Sequence, residues 1–174
     1  MPTPNQLAKS NTEHGHQVAL MAFAAIARIH GFEIAWQFNE TGDPNLFKNS
    51  PYRVNENEAF PCLKWFHAIP NGGIRGDTEE ARKIRGGQLK AEGVKRGVAD
   101  TFLPFPVAGY CGLYIEMKKP SQAPKEGSKV QNKGMSDEQV EFKNYCLESG
   151  YGFKTCYNWV EAAQTLESYL NYKG

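Results

Sequence analysis

Between residues 12 and 30 apolar side chains recur at helical spacing. Val18, Met21, Ala22, Ala25, Ile26 and Ile29 form one stripe, widened by Leu20, Phe23 and Ala24. Such a helix is predicted to be largely buried, with Asn11 or Thr12 as its cap. At about 100° per residue, Glu13 and Gln17 extend the side carrying Leu20, Ala24 and Ala27. A carboxylate at the edge of a buried face needs a partner. The ten residues before this helix hold two prolines and no periodicity, and read as a loose terminus. Residues 39–59 are polar and turn-rich, a long loop or small insertion of the kind that serves as a lid or partner contact.

Residues 60–69 alternate aromatic and aliphatic side chains, which predicts a strand ending at the turn Pro70-Asn71-Gly72-Gly73. Asp77 or Thr78 then opens a charged helix to about Lys90. Residues 98–103 and 112–118 read as two strands joined by a short turn. Residues 119–135 lack a core-forming pattern and read as a mobile basic loop. Ser136 starts a helix with Asp137, Glu138 and Gln139 in its first turn. A strand over 151–157 precedes a last helix, capped by Asn158 with Glu161, whose stripe is Trp159, Ala162, Ala163, Leu166 and Leu170. Helices interleaved with strands around one sheet make an α/β fold, and 174 residues suit one domain.

Composition removes several classes. No apolar run approaches the roughly 20 residues that span a bilayer, and no secretory signal is visible, so the expectation is a cytoplasmic protein without a membrane partner. Cys62, Cys111, Cys146 and Cys156 have no zinc-ligand spacing and read as buried free thiols. The formal charge is only +1, so nucleic-acid binding must rest on local charge.

The chemistry concentrates in Gly97-Val98-Ala99-Asp100 and Tyr114-Ile115-Glu116-Met117-Lys118. Side chains two apart on a strand face the same way, so Glu116 and Lys118 point together, opposite Ile115 and Met117. A short turn brings Asp100, at the start of the neighbouring strand, within range of Glu116. Two carboxylates held together repel unless a cation lies between them, and an oxygen-only ligand set suits Mg²⁺ or Mn²⁺. A lysine beside that metal can orient a water and stabilise charge on a phosphoryl group. On its own Glu-x-Lys is a common pattern on solvated strands; the apolar strand, the preceding aspartate and the basic loop give it weight.

Asp followed by Glu-x-Lys across a hairpin resembles the core of the PD-(D/E)XK nuclease superfamily. Four segments narrow the likeness: His67-Ala68-Ile69-Pro70-Asn71-Gly72-Gly73, Glu92-Gly93-Val94-Lys95-Arg96-Gly97-Val98-Ala99-Asp100, Gly112-Leu113-Tyr114-Ile115-Glu116-Met117-Lys118, and Ser136-Asp137-Glu138-Gln139. In that order they resemble the virus-type replication-repair nuclease (VRR-NUC) family, in the stand-alone form common in phages and prophages. The resemblance covers nearly the whole chain from Glu13 onward. It implies a single restriction-endonuclease-like domain with a central mixed sheet flanked by helices. It also implies a divalent-metal-dependent DNA endonuclease related to dimeric Holliday-junction resolvases. By the same resemblance Asp100 and Glu116 are metal ligands, joined by Glu13 reaching the site from the first helix, Lys118 is the catalytic lysine, and Gln139 completes the site. Two departures stand out. Ala99 replaces a proline usual before the aspartate, and the loop over 39–59 is longer than usual.

Plainer readings accompany several of these residues. Gln139 stands at a capping-box position relative to Ser136, and Glu13 favours the positive end of its helix dipole. His67 reads as a core histidine, and Trp36, Trp65 and Trp159 as core aromatics. The basic residues Arg75, Arg82, Lys83, Arg85, Lys90, Lys95 and Arg96 lie before the aspartate; Lys119, Lys125, Lys129 and Lys133 follow the lysine. Runs like these usually mark a solvated face. Flanking a metal site, they read as phosphate contacts, with Asn71 in a turn whose N–H groups suit an anion. Recognition of DNA shape is expected over recognition of sequence. The alternative is a structure-selective DNA-binding module of the same fold that does not cleave; a plain α/β interaction protein with a salt-bridge network at these positions is a further rival.

Overall fold

The structure, a computed structural model, describes residues 1–52, 57–70, 78–125 and 132–172, apart from the Arg82 side chain. Among the described residues, six α-helices and four strands follow in the order α1 (Pro4–Leu7), α2 (Glu13–His30), α3 (Phe32–Thr41), β1 (His67–Ala68), α4 (Glu79–Ala91), β2 (Thr101–Leu103), β3 (Leu113–Met117), α5 (Asp137–Glu148), β4 (Gly152–Cys156) and α6 (Trp159–Leu170). The strands form one mixed sheet in the order β1-β2-β3-β4; β2 is antiparallel to both β1 and β3, and β3 is parallel to β4. The expected α/β architecture, a mixed central sheet flanked by helices, is the one observed.

The core follows from two faces of β3. Leu113, Ile115 and Met117 are buried and join α2 and α6 in the main apolar cluster. Tyr114 points to the other side, stacking on Phe102 at 4.2 Å and meeting Phe142 of α5 edge-on at 5.2 Å. Helices therefore cover both faces of β3, which explains why its sequence is apolar on both sides except at Glu116. Helix α6 buries Trp159, Ala162, Ala163 and Leu166 of the stripe read from sequence, with Leu170 half-buried, and Asn158 caps it by accepting from Glu161 N at 2.9 Å. Phe23, Trp36 and Trp159 meet with ring centroids 4.4–5.7 Å apart, and the Trp36 indole donates to Glu167 Oε2 at 2.8 Å.

Several expectations are corrected. Helix α2 has the expected bounds and is capped by Thr12, which accepts from Gly15 N at 3.0 Å. Its buried face, however, runs through Gly15, His16, Ala19, Leu20, Phe23, Ala24, Ile26 and Ala27, whereas Val18 and Ala25 are exposed. The all-round apolar composition left the rotation undetermined, and docking against α6 and α3 sets it. His16 is the polar member of that face: its Nδ1 accepts from Trp159 N at 3.3 Å, and its Nε2 meets Asn11 Oδ1 at 3.1 Å. Burial lowers its pKa, as a neutral ring accepting a backbone bond requires.

The opening residues, expected to be loose, form α1 with a Thr3–Gln6 capping box, and Asn5 N donates to Asn39 Oδ1 at 2.9 Å. Helix α3 was not expected; Gly31, at φ 88°, separates it from α2, and Phe32, Ala35 and Phe38 bury its inner side. It takes up the start of the 39–59 segment, and residues 44–47 form a 3-10 turn. The strand expected over 60–69 is largely a 3-10 helix, Pro61–Trp65, followed by the two-residue β1. Pro61 favours a first helical position, and the buried pair Leu63 and Phe66 is spaced by three, not two. Trp65 is consequently exposed, and so is His67, whose Nδ1 meets Trp65 O at 2.7 Å; neither belongs to the core. All four cysteines are free. Cys146 and Cys156 are buried, with burial pushing their thiols up to about 11 and about 12, but Cys62 is half-buried and Cys111 exposed. No helix among the described residues is long and apolar enough to cross a membrane.

Candidate metal centre and its surround

The register of the β2–β3 hairpin, Thr101 opposite Ile115, carries Asp100 toward Glu116 and the end of β3. Asp100 Oδ2 accepts from Met117 N at 2.7 Å, and its own carbonyl accepts from Ile69 N at 2.7 Å. The carboxylate is thus tied to the backbone of the strand that carries Glu116. Lys118, one residue past β3, extends the parallel pairing through its N–H to Cys156 O at 2.8 Å. Strand alternation then puts Glu116 and Lys118 on the same side, the one facing α5.

The two side chains meet as expected. Lys118 Nζ lies 2.9 Å from Glu116 Oε1 and donates at 2.9 Å to Gln139 Oε1. The Gln139 amide nitrogen donates to the same Glu116 oxygen. Gln139 Oε1 also accepts from Ser136 N at 2.9 Å, and Ser136 Oγ accepts from Gln139 N at 3.3 Å. The capping box and the approach to Glu116 and Lys118 therefore coexist: the glutamine serves its helix end and the cluster with one amide.

Glu116 is 1% exposed and Lys118 7%. Glu116 Oε2 has no hydrogen-bond partner among the described residues. Burial pushes the Glu116 carboxyl up to about 7, and the Asp100 charge pushes the same way; Lys118 opposes both, and Glu13 adds a smaller push upward. A buried carboxylate that has an open oxygen and a neighbouring acid is under-compensated by its one lysine.

Among the described residues no three His, Cys, Asp or Glu side chains gather closely enough to cage a metal. Mg²⁺ does not require such a cage, since one or two carboxylates and retained waters commonly hold it. The orphaned Oε2 of Glu116 and the nearby Asp100 fit an ion bound in that manner. Glu13, half-buried at the first position of α2, is near enough for its charge to act on Glu116.

The basic surround is more mixed. Lys95, Arg96, Lys119 and Lys125 are exposed, and Arg96 acts on exposed Glu138 in the first turn of α5. Lys133 is half-buried, its Nζ donating to Ala123 O at 2.7 Å. On α4, Lys83 pairs with Glu79 at 3.2 Å and Arg85 with Glu92 at 3.5 Å, so part of this helix's positive charge is met internally. Asn71, Arg75 and Lys129 lie outside the described residues.

One residue with no expected role stands out. Gly97, at φ 80°, lies against the first turn of α5, where a Cβ would come within 2.5 Å of the Glu138 carbonyl oxygen. The segment entering Asp100 thus packs directly on the helix end carrying Gln139. A glycine three residues before the acid is the only trace of this in the sequence.

No family model matches the chain, and no curated protein does. Among solved structures, one named "VRR_NUC domain protein" is similar at 17% identity and a TM-score of 0.52, over 91% of this chain and 88% of that one. Identity at that level speaks for architecture alone, and the likeness of fold extends over most of both chains. The chain has the α/β fold of a distant structural relative named for the VRR_NUC domain.

Proposed function

We propose that the protein is a divalent-metal-dependent DNA nuclease that hydrolyses phosphodiester bonds with Asp100, Glu116, Lys118 and Gln139. The observation that carries this reading is the cluster itself: a buried, under-compensated glutamate, joined to a lysine and a glutamine, beside an aspartate at the rim of the sheet. The unpartnered, buried Oε2 of Glu116 favours this reading over a plain structural network, in which buried polar atoms are usually paired. The distant VRR_NUC-named relative supports the same reading through its fold.

Asp100 and Glu116 would hold Mg²⁺ or Mn²⁺, with Glu13 adding negative charge from α2. When bound, such an ion supplies Lewis-acid polarisation of the scissile phosphate and a lowered pKa for a nearby water. Lys118 has three N–H donors, and two are directed at Glu116 Oε1 and Gln139 Oε1. The third would meet a non-bridging phosphate oxygen, where negative charge builds as water oxygen bonds to phosphorus and loses its proton to solvent, while the phosphorus–oxygen ester bond breaks and the leaving oxygen takes a proton from solvent. Gln139 keeps the ammonium and the Glu116 carboxylate in a fixed relation while this happens.

The basic residues Lys95, Arg96, Lys119, Lys125 and Lys133, with Asn71, Arg75 and Lys129, are proposed to contact phosphates and favour shape over sequence. A branched substrate such as a four-way junction, cut by a two-fold dimer of single-domain protomers, suits one active site per chain. The test incubates the protein with supercoiled plasmid and a synthetic junction, with and without Mg²⁺. Metal-dependent cleavage lost in Asp100→Asn is expected. Salt-sensitive junction binding without any product would replace this reading with a non-cleaving binding module.

A further inference from the structure

We propose that Ser136 is a positioning residue for the candidate nuclease site, setting the orientation of the Gln139 amide through the helix cap; the inference rests on the reading above. The Gln139 side chain could sit in either of two amide orientations related by a flip. In the observed one, Oε1 accepts from Ser136 N and Lys118 Nζ, both at 2.9 Å, and Nε2 donates to Glu116 Oε1. After a flip, an NH₂ group would face two donors and a carbonyl oxygen would face a carboxylate oxygen. All three interactions would turn repulsive together.

Lys118 and Glu116 both bias this choice, but they are the groups being organised. Ser136 is the partner that lies outside them. Its N–H can reach Gln139 Oε1 only while Ser136 keeps its extended cap conformation, φ −78° and ψ 166°, and Ser136 Oγ holds that conformation by accepting from Gln139 N at 3.3 Å. Alanine keeps the N–H but removes the oxygen, so the first turn frays and the amide loses its outside reference. Gly97 bears on the same turn from the other side, against the Glu138 carbonyl. The cap is therefore held from within by Ser136 and from without by the segment leading to Asp100.

The test compares Ser136→Ala with Asn158→Ala, which removes an equivalent cap from α6 whose oxygen accepts from Glu161 N, and with Ser136→Thr, which restores a cap oxygen. Two readouts are taken. The first is the kcat and KM of Mg²⁺-dependent plasmid nicking. The second is the side-chain amide resonance pair of Gln139 in ¹⁵N spectra, assigned by its loss in Gln139→Glu. Ser136→Ala should lower kcat about tenfold or more with little change in KM. It should also move the Gln139 amide pair toward the position of a free glutamine and speed its hydrogen exchange. Asn158→Ala should do neither, and Ser136→Thr should restore both.

The proposal is overturned if Ser136→Ala leaves the Gln139 resonances where Asn158→Ala leaves them, or if the resonances move while kcat matches that of Asn158→Ala. If the parent protein cuts no DNA yet Ser136→Ala alone displaces the amide pair, the positioning stands and the nuclease reading falls.

Discussion

Replacing Glu116 by glutamine tests the electrostatic heart of the site without requiring any substrate. The carboxyl is pushed from its ordinary 4.5 to about 7, chiefly by burial and then by Asp100. Folding therefore favours the protonated acid. The contribution is fully present below pH 4.5 and is lost as pH rises through about 7, because the unfolded chain ionises first. At about 1.4 kcal/mol per pH unit, the interval corresponds to about 3 kcal/mol of stability lost between the two values. Glutamine has nearly the same shape and does not titrate, so this component of the pH dependence vanishes in Glu116→Gln. Its absolute stability is a less clean measure, because Lys118 loses its charged partner. The slope is the diagnostic. Urea unfolding of both proteins at pH 5 and pH 8, in the presence of a chelator, should give a parent that weakens by about 2–3 kcal/mol more than the variant across that range. Identical pH slopes would show that Glu116 ionises normally in the folded chain and would remove the argument for a cation between the acids.

Two other perturbations probe the same neighbourhood. Asp100→Asn and Asp100→Ala should both abolish metal-dependent cleavage, but only the alanine should also cost about 1–3 kcal/mol in unfolding free energy, because it strands the Met117 N–H bonded at 2.7 Å; equal stabilities would refute that role for the aspartate oxygen. Gly97→Ala should lower stability by at least about 1–3 kcal/mol from its positive φ alone and should displace the Glu138 backbone, which a thermal melt and the Gln139 amide resonances would detect together; a melt unchanged from the parent would show that the segment does not pack on α5.

Much of the placement of the candidate cluster was legible because strands have a period of two. Glu116 and Lys118 share a side of β3 for that reason alone, and a short hairpin brings Asp100 to the same end. Caps were legible for a comparable reason, since Thr12, Ser136 and Asn158 each supply an oxygen to nearby N–H groups within one helical turn. Local spacing was less decisive for α3 and for residues 61–65, where the patterns admit more than one reading. Phe60 through Ile69 alternates like a strand, yet Pro61 and the three-residue spacing of Leu63 and Phe66 suit a 3-10 turn, and packing beneath α2 selected the latter.

By itself, then, the amino-acid order determined the longer helices α2, α4, α5 and α6, their caps, the strands β2 to β4, and the shared side of Glu116 and Lys118, because these depend on neighbours a few residues apart. Tertiary structure alone decided the rotation of α2, the burial of Glu116, the double duty of Gln139 and the docking of Gly97 on α5. Each of these is a relation between segments far apart in the chain. Desolvation and close approach depend on what covers a residue from a distance, and no local pattern records that.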